Sequence, residues 1–344
     1  MSHVSVHVLT AYPPSNPNRD EDGQPKTAVV GGKTRQRISS QCIKRAWRMS
    51  KPISQLDLPL STRTRGLGSE IQRKLEAFGL APKAAADRAK KIAERFGKVD
   101  SKKSPDHSEM VIYGHEEWAA CMNLAETIGK EGRDPTSEEL ESVAQRTVSL
   151  DCALFGRMRA AEPRLNVDAA VSVSHCLTAN IANVDSDFWT SVDDLKQRDE
   201  ESDRGSGGMG DVEYGSGVYY TYVDVDLKQL NENLKSADLS AKALVALIEA
   251  IATTTPSGHR STFAHQGRAS YLRIEIGQSS GNLFCSAYEA PVMGMTLAID
   301  ALRLSASKIQ KAYDLDQVVV EMSVPEGQGS LKEVLTKVSA ALPT

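Results

Sequence analysis

Aromatic residues are scarce, at 5% of a 344-residue chain. That is too few to lay a ring under every base of a long single strand, which excludes a binder that works by stacking alone. Cysteine is sparse too: Cys42, Cys121, Cys152, Cys176 and Cys285 are far apart and odd in number. This argues against a disulfide framework and for free thiols in a reducing cytoplasm. No C-x-x-C and no H-E-x-x-H occurs, so neither a metal site nor a cofactor is expected. No apolar run reaches the ~18 residues that would span a bilayer. The start, "MSHVSVHVLTAYPP", has no basic segment followed by an apolar one, so no secretory signal is expected and the location predicted is cytoplasmic.

What remains is an ordinary globular composition, 40% apolar and 25% charged, in a chain long enough to bury one large core or two moderate ones. The formal net charge of −4 hides an uneven distribution. Between Gly23 and Leu56 there are eight Lys or Arg and no Asp or Glu, whereas "DDLKQRDEESDRG" (Asp193–Gly205) is rich in carboxylates. Such a chain can present a cationic groove on an otherwise acidic body.

Val4–Tyr12 alternates as a strand does, and Pro13–Pro25, rich in proline and asparagine, reads as a loop. A helix is expected from Ser40 to Ser50, and Leu67–Leu154 is helical in pattern, closed repeatedly by glycines. Strand patterns return at Asp168–His175, Ser216–Leu227, Ser270–Gly277 and "QVVVEMSV", with helices at Ser240–Thr254 and Met293–Tyr313. Strands and helices interleave around a helical insertion, which points to an antiparallel α+β core of the ferredoxin or RNA-recognition type. Six glycines between Gly205 and Gly217 exclude a packed element there and read as a mobile loop, or a hairpin tip, with Met209 as its one unbranched apolar residue.

"AVVGGKTRQRISSQCIKRAWR" (Ala28–Arg48) raises the sharpest question. Gly32-Lys33-Thr34 looks like the end of a phosphate-cradling P-loop, but the spacing requires a glycine where Thr27 stands, and "TRQR" does not open a helix. The basic half is more informative. With Ser39 or Ser40 as N-cap, a helical wheel puts Gln41, Lys44, Arg45 and Arg48 within an arc of about 100°. Cys42, Ile43, Ala46, Trp47 and Met49 fall on the other side, as a packing face. Lys26, Lys33, Arg35, Arg37 and Lys51 add charge nearby without offset. So unbalanced a segment repels itself unless an anion neutralises it, which points to a polyanionic partner.

Taken in order, "HVLTAYPPSNPNRDEDGQPKTAVVGGKTRQRISSQCIKRAWR" (His7–Arg48) resembles the opening of the CasC family, the repeated backbone subunit of the type I-E CRISPR Cascade complex. The succession N-R-D, P-K-T-A, G-G-K, R-I-S-S-Q and K-R-A carries the resemblance. It continues at "GRM" (Gly156–Met158), "VSHCLTAN", "VDSDFWTSVDDL" (Val184–Leu195) and "SGVYYTYVDVDL", and weakens beyond Gly258. The resemblance implies an RNA-recognition-motif or ferredoxin-like palm from residues 1–60 and 165–344, helical fingers inserted at 61–164, and a β-hairpin thumb at 185–217. It also implies a non-catalytic protein of prokaryotic antiviral defence. Copies would line up as a helical filament along a guide CRISPR RNA, beside other Cascade subunits, and present its bases for pairing with target DNA.

By the same resemblance Lys26, Gln41, Lys44, Arg45 and Arg48 match contacts to guide phosphates, with Ser39 and Ser40 as further donors. Met158 and Met209 match apolar wedges at a kinked base step, and Trp189 and Thr190 a thumb segment over a displaced target base. Core packing is the alternative for Met158, and a buried structural role for Trp189. Thr221 stands where an Arg is expected, Cys42 where a Ser is, and Arg198–Arg204 is an acidic insertion. Three rival readings stay open. One is metal-dependent RNA cleavage by the Asp20–Glu21–Asp22 loop. Another is a generic RNA-processing protein using His7, His175 or His259. The last is a protein scaffold whose basic helix docks an acidic neighbour.

Overall fold

The computed structural model describes residues 3–100, 104–144, 148–159, 162–191 and 208–342. The acidic insertion Arg198–Arg204 and the first glycines of the Gly-rich stretch, Gly205 and Gly207, lie outside the described residues. In chain order the strands are β1 (His3–Ser15), β2 (Thr27–Val30), β3 (Lys33–Ile38), β4 (Thr62–Thr64), β5 (Val111–Tyr113) and β6 (Val171–Val173). They continue as β7 (Cys176–Thr178), β8 (Val184–Ser191), β9 (Gly208–Asp226), β10 (Tyr271–Gly277) and β11 (Gln317–Ser323).

The fold is α+β. The chain divides into two compact units, one of Met1–Ser54, Ser172–Val225 and Ala241–Thr344, the other of Gln55–Val171 and Asp226–Ser240. The first is built on a sheet ordered β11-β10-β1-β9-β7-β3-β2, with β6 and β8 also paired to β9. The pairs β1–β10, β10–β11, β2–β3, β3–β7, β7–β9 and β8–β9 run antiparallel. Between β1 and β9 the side-chain pairs His3–Asp224, Ser5–Tyr222 and His7–Tyr220 step in opposite directions, as antiparallel neighbours do. The second unit is helical. Leu67–Ala77, Pro82–Ala93 and His115–Glu131 bury Leu67, Ile71, Leu75, Ala89, Ile92 and Ile128 in a common core beside the small β4–β5 sheet. Leu227–Leu234 belongs to this unit as well, although it follows the longest strand of the sheet.

The Gly-rich stretch is not a loop from Gly208 onward. It is the first half of β9, a 19-residue strand. Its glycines serve close approach: a Cβ on Gly210 would sit 3.0 Å from the Trp189 indole, and one on Gly217 would meet the Asn180 amide at 2.4 Å. Composition alone misreads such a strand, because the glycines are chosen for what lies over them.

A charged network crosses β1, β10 and β11. The His7 ring bonds the Tyr220 hydroxyl at 2.9 Å and faces Glu275 at 3.6 Å. Glu275 accepts from the Arg273 guanidinium and the Ser280 N–H, and Arg273 continues to Glu321 at 2.7 Å. Burial alone would raise the Glu275 pKa, but the His7 ring, the Ser280 N–H and Arg273 overcome it and hold the carboxyl at about 2, against an ordinary 4.5. In that window the unfolded chain binds the proton and the folded one does not, so stability rises with pH. Chemical denaturation across an acid series should therefore show stability complete above 4.5 and falling as pH drops toward 2. Glu275→Gln should flatten that part of the profile; an unchanged profile would remove Glu275 as its cause.

Candidate nucleic-acid interface

The P-loop look-alike is a β-hairpin. Val30 pairs with Lys33, and Gly31 and Gly32 between them have φ of +58° and +69°. Two consecutive positive φ values make a type I′ turn, the two-residue connection whose twist suits antiparallel strands. Lys33 and Thr34 therefore lie on a strand and cradle no phosphate. The next residue, Arg35, is fully buried. Its Nη1 donates to the carbonyls of Thr178 and Ala179, and its Nη2 to those of Tyr288 and Glu289. One of the eight cations counted in the sequence is thus part of the framework.

The hairpin feeds the basic helix Ser40–Arg48. Ser39 is its N-cap, with extended backbone and a hydroxyl that accepts from the Cys42 N–H at 3.3 Å. The Ser39 N–H donates to the Asn18 side chain at 2.8 Å, and the Ser40 N–H to His175 Nδ1 at 3.1 Å. Burial lowers the His175 pKa, and the charges of Arg37 and Lys26 lower it further, so the ring stays neutral and able to accept. No acidic residue occupies the first turn, and Arg45 and Arg48 lie in the last. Lys26 is held to the helix entrance by backbone bonds, its N–H to the Asn18 carbonyl and its carbonyl from the Arg37 N–H. Burial raises the Cys42 thiol, and both Lys26 and Arg45 act to lower it, which places both cations within electrostatic reach of that one sulfur. Lys26 and Arg37 thus lie at the positive end of a helix dipole, and Arg45 extends the cationic surface along the helix.

The wheel is right for part of this helix. Gln41 and Arg45 are exposed, Lys44 and Ser40 half-buried, Ile43 and Trp47 buried. Two positions need correction. Arg48 is only 9% exposed and Met49 is 62% exposed, the reverse of the faces expected. The cause is the chain's course: it turns at Ser50 into the short helix Lys51–Ser54, so the last turn is enclosed on a side that an isolated wheel leaves open. Ser39 is also buried, its hydroxyl already engaged with Cys42.

Beside the helix opens a cleft of about 450 Å³, with Cys42, Arg45 and Met49 on one wall and Pro256, Gly258 and Arg260 on the other. Arg260 is braced by a bond from Nη2 to the Thr255 carbonyl at 2.8 Å, and its Nε has no partner among the described residues. Arg37 and Arg260 were not singled out as site residues from the sequence. The first was counted only as adjoining charge, and the second lies where the motif resemblance fades.

The other candidates sit elsewhere. Met158 is 82% exposed, which rules out core packing. Gly156 at φ +77° turns the chain after the helix Leu150–Phe155, and Arg157 and Arg159 on either side of Met158 are both buried against Glu117, at 2.8 and 2.7 Å. On the β8–β9 hairpin the register pairs Trp189 with Gly210, Thr190 with Met209 and Phe188 with Asp211. Side chains alternate, so Trp189 and Met209 occupy opposite faces, and Phe188 shares the face of Thr190 and Met209. Trp189 is 45% exposed, which overturns the buried alternative; it lies over Gly210, while Phe188, at 60%, is an apolar residue that the sequence reading passed over. Thr221 is 5% exposed and points inward, so an Arg there would not reach a surface without moving the sheet.

Asp20 Oδ1 accepts from the N–H groups of Asp22 and Gln24. Among the described residues no group of three or more His, Cys, Asp or Glu could hold a metal ion, and no helix is long and apolar enough to cross a membrane. His7 and His175 are committed to the bonds above, and His259 opens the short helix Arg260–Phe263.

Comparison with known proteins decides the family. The profile of the CT1975-like proteins, a Cas family, matches residues 4–341. The chain belongs to that family. A solved chain described as "CRISPR RNA-guided surveillance complex, pre-nicking" superposes with a TM-score of 0.84 at 27% identity, over 99% of both chains. A second, from a "CRISPR RNA-guided surveillance complex", gives a TM-score of 0.74 at 22% identity, over 99% of this chain and 100% of the other, and shows the shared fold. No curated protein matches the chain.

The burial pattern separates two arginines on one helix. Arg45→Ala, at an exposed site, should change unfolding free energy by no more than about 0.5 kcal/mol, whereas Arg48→Ala should cost about 1–3 kcal/mol. Ser39→Ala should cost about 1 kcal/mol through the lost cap. Denaturant unfolding of the three variants checks the order.

Proposed function

We propose that this Cas-family protein is a non-catalytic backbone subunit of a CRISPR RNA-guided surveillance complex, one that grips the guide RNA by its phosphates. In this reading copies of the chain line up along the guide in the cytoplasm and leave its bases free to pair with target DNA, in antiviral defence. The observation that carries it is the meeting of Lys26 and Arg37 at the capped N-terminal end of a helix with no acid in its first turn, with Gln41, Lys44 and Arg45 farther along it. Charge of a single sign beside the positive end of a helix dipole favours a phosphate there. The likeness to a 27%-identical chain of an RNA-guided surveillance complex, over nearly the whole of both chains, agrees with it.

The topology supports the palm, fingers and thumb assignment. β1, the basic helix, β6, β9, the helix Ala237–Thr253 and β10 follow one another as strand-helix-strand-strand-helix-strand, and the sheet order β10-β1-β9-β6 is that of a ferredoxin-like fold. Residues Gln55–Val171, the helical unit, enter after the first helix. Met209 with Phe188 on one face of the β8–β9 hairpin, and Met158 in the helical unit, are the apolar contacts expected at splayed bases. An RNA-recognition sheet ordinarily stacks bases on rings of its central strands. Here those rings are covered: Tyr220 receives the Leu283 N–H and Tyr222 bonds Ser279. The strand must therefore be held by its phosphates, along the basic helix.

The test is light scattering of the protein with and without a single-stranded RNA of about 60 nucleotides, over a salt series, beside the variant Lys26, Lys44, Arg45→Ala. Each lost phosphate contact flattens the slope of log K against log salt by about 0.7, so the triple variant should lose about two units of slope or fail to bind. The mass should rise in regular steps on RNA. Assembly that is equal without RNA would sink the reading in favour of a protein scaffold, and metal-dependent RNA cleavage lost in Asp20→Ala would overturn its non-catalytic part.

A further inference from the structure

The cleft of about 450 Å³ beside the basic helix holds more than a phosphate grip requires. Its volume lies within the ~300–1,000 Å³ of sites that enclose a small ligand. No Asp or Glu is among the residues that line it. One wall carries Arg45 and Met49, both exposed, and the other carries Thr254, Ser257 and Arg260. The lining is therefore mixed: two cations, hydroxyl groups, and apolar surface that Ala46 and Pro256 extend.

The second wall is held in shape by its own bonds. Arg260 Nη2 donates to the Thr255 carbonyl at 2.8 Å, the Arg260 N–H to the Ser257 carbonyl at 3.2 Å, and His265 Nε2 to the Pro256 carbonyl at 3.0 Å. Gly258 is pressed onto the loop before the hairpin, where an added Cβ would stand 2.5 Å from the Pro17 carbonyl oxygen. His259 and Ala264 have φ of +52° and +47°, left-handed backbone that residues with a Cβ seldom adopt. Such residues persist only where their surroundings over-determine them, as at ligand clamps. The hydroxyls of Thr254, half-buried, and Ser257, exposed, make no hydrogen bond among the described residues. The fold fixes this wall and leaves those two groups unengaged.

Three features narrow the ligand. Two cations with no carboxylate favour a negatively charged group. The thioether and the apolar surface around it favour an uncharged face. Hydroxyls both donate and accept, so they suit a partner that does the same, whereas a phosphate only accepts. One nucleotide of a strand supplies all three, and in RNA its 2′-hydroxyl both donates and accepts. We propose that the cleft takes one nucleotide of the bound strand and that Thr254 and Ser257 read its 2′-hydroxyl, which makes the grip selective for RNA over DNA. The proposal rests on the RNA-binding reading above. It adds what phosphate contacts lack, since phosphates are the same in both nucleic acids. Arg45 belongs both to the basic helix and to the cleft, so the two sites are continuous.

The test uses the full chain and three strands of one sequence, about 60 nucleotides long, several times one protein's site size. The strands are RNA, its 2′-fluoro counterpart, and DNA with uracil in place of thymine. The 2′-fluoro strand keeps the ribose pucker and lacks the hydroxyl proton. The chain should bind RNA more tightly than either of the others. Ser257→Ala and Thr254→Val should each weaken RNA binding about fivefold, the worth of one net hydrogen bond, with no change on the other two strands. Unchanged binding to the 2′-fluoro strand also shows that the variants are folded. The double variant should bind RNA and the 2′-fluoro strand alike, with the salt slope of the original chain, because no phosphate contact is lost. Equal weakening on all three strands would assign the wall to phosphate or base and overturn the ribose contact. So would an RNA preference that survives in the double variant, or an original chain that binds RNA and the 2′-fluoro strand alike. Those outcomes spare the RNA reading. No binding to any strand would bring down both.

Discussion

The β2–β3 hairpin and everything it carries depend on one buried guanidinium. Arg35 has no exposed surface and spans to four main-chain carbonyls, two at the end of β7 and two at the end of the short helix Phe284–Tyr288. A planar group with five fixed donors can meet four carbonyls in this way, and an ammonium cannot. Burial lowers its pKa from the ordinary 12.5, a cost accepted without a paired carboxylate among the described residues. The consequence is positional. With Arg35 seated, Lys33 and Thr34 face outward on the strand, Arg37 arrives beside His175, and Ser39 caps the basic helix. The cationic surface depends on a cation that is not part of it.

The same division between framework and contact recurs in the helical unit. Arg157 and Arg159 are spent on Glu117 and on carbonyls, and Met158 between them is pushed into the open. Extended backbone puts neighbours on opposite sides, so two buried arginines guarantee an exposed residue between them. Gly156 makes the turn possible, since a Cβ there would press on Val167 and Ala169 at 3.1 Å. The exposed methionine is held in place by charge pairs it takes no part in.

The helix Ser40–Arg48 shows how a chain of negative net charge presents a cationic surface. Net charge is −4 over the chain, yet the capped end of this helix meets Lys26, Arg37 and no first-turn acid, and Arg45 follows in its last turn. Local arrangement governs the field at contact distance, because screening removes the rest within about 10 Å. On the sheet, Tyr220 and Tyr222 are engaged by Leu283 and Ser279, so the cationic groups, not these rings, are what this unit presents.

Much of this was legible before any coordinates. Alternation marked β1 and β10, Ser39 and the residues after it marked a helix start, and the excess of cations between Gly23 and Leu56 marked a cationic surface. Those signals are local, set by the periods of strand and helix and by which side chain can cap an N–H. Which cations remain on the surface was not local. Arg35 and Arg48 are chemically the same as Arg37 and Arg45, and only the carbonyls from β7 and the helix before Glu289, or the turn at Ser50, separate them. Glycine at 210 and 217 read as slack chain because the Trp189 ring and the Asn180 amide that need the space come from another strand and its loop. A sequence fixes what each residue prefers along its own element, and the tertiary structure decides which of those residues meet, because burial and register bring together groups far apart in the chain.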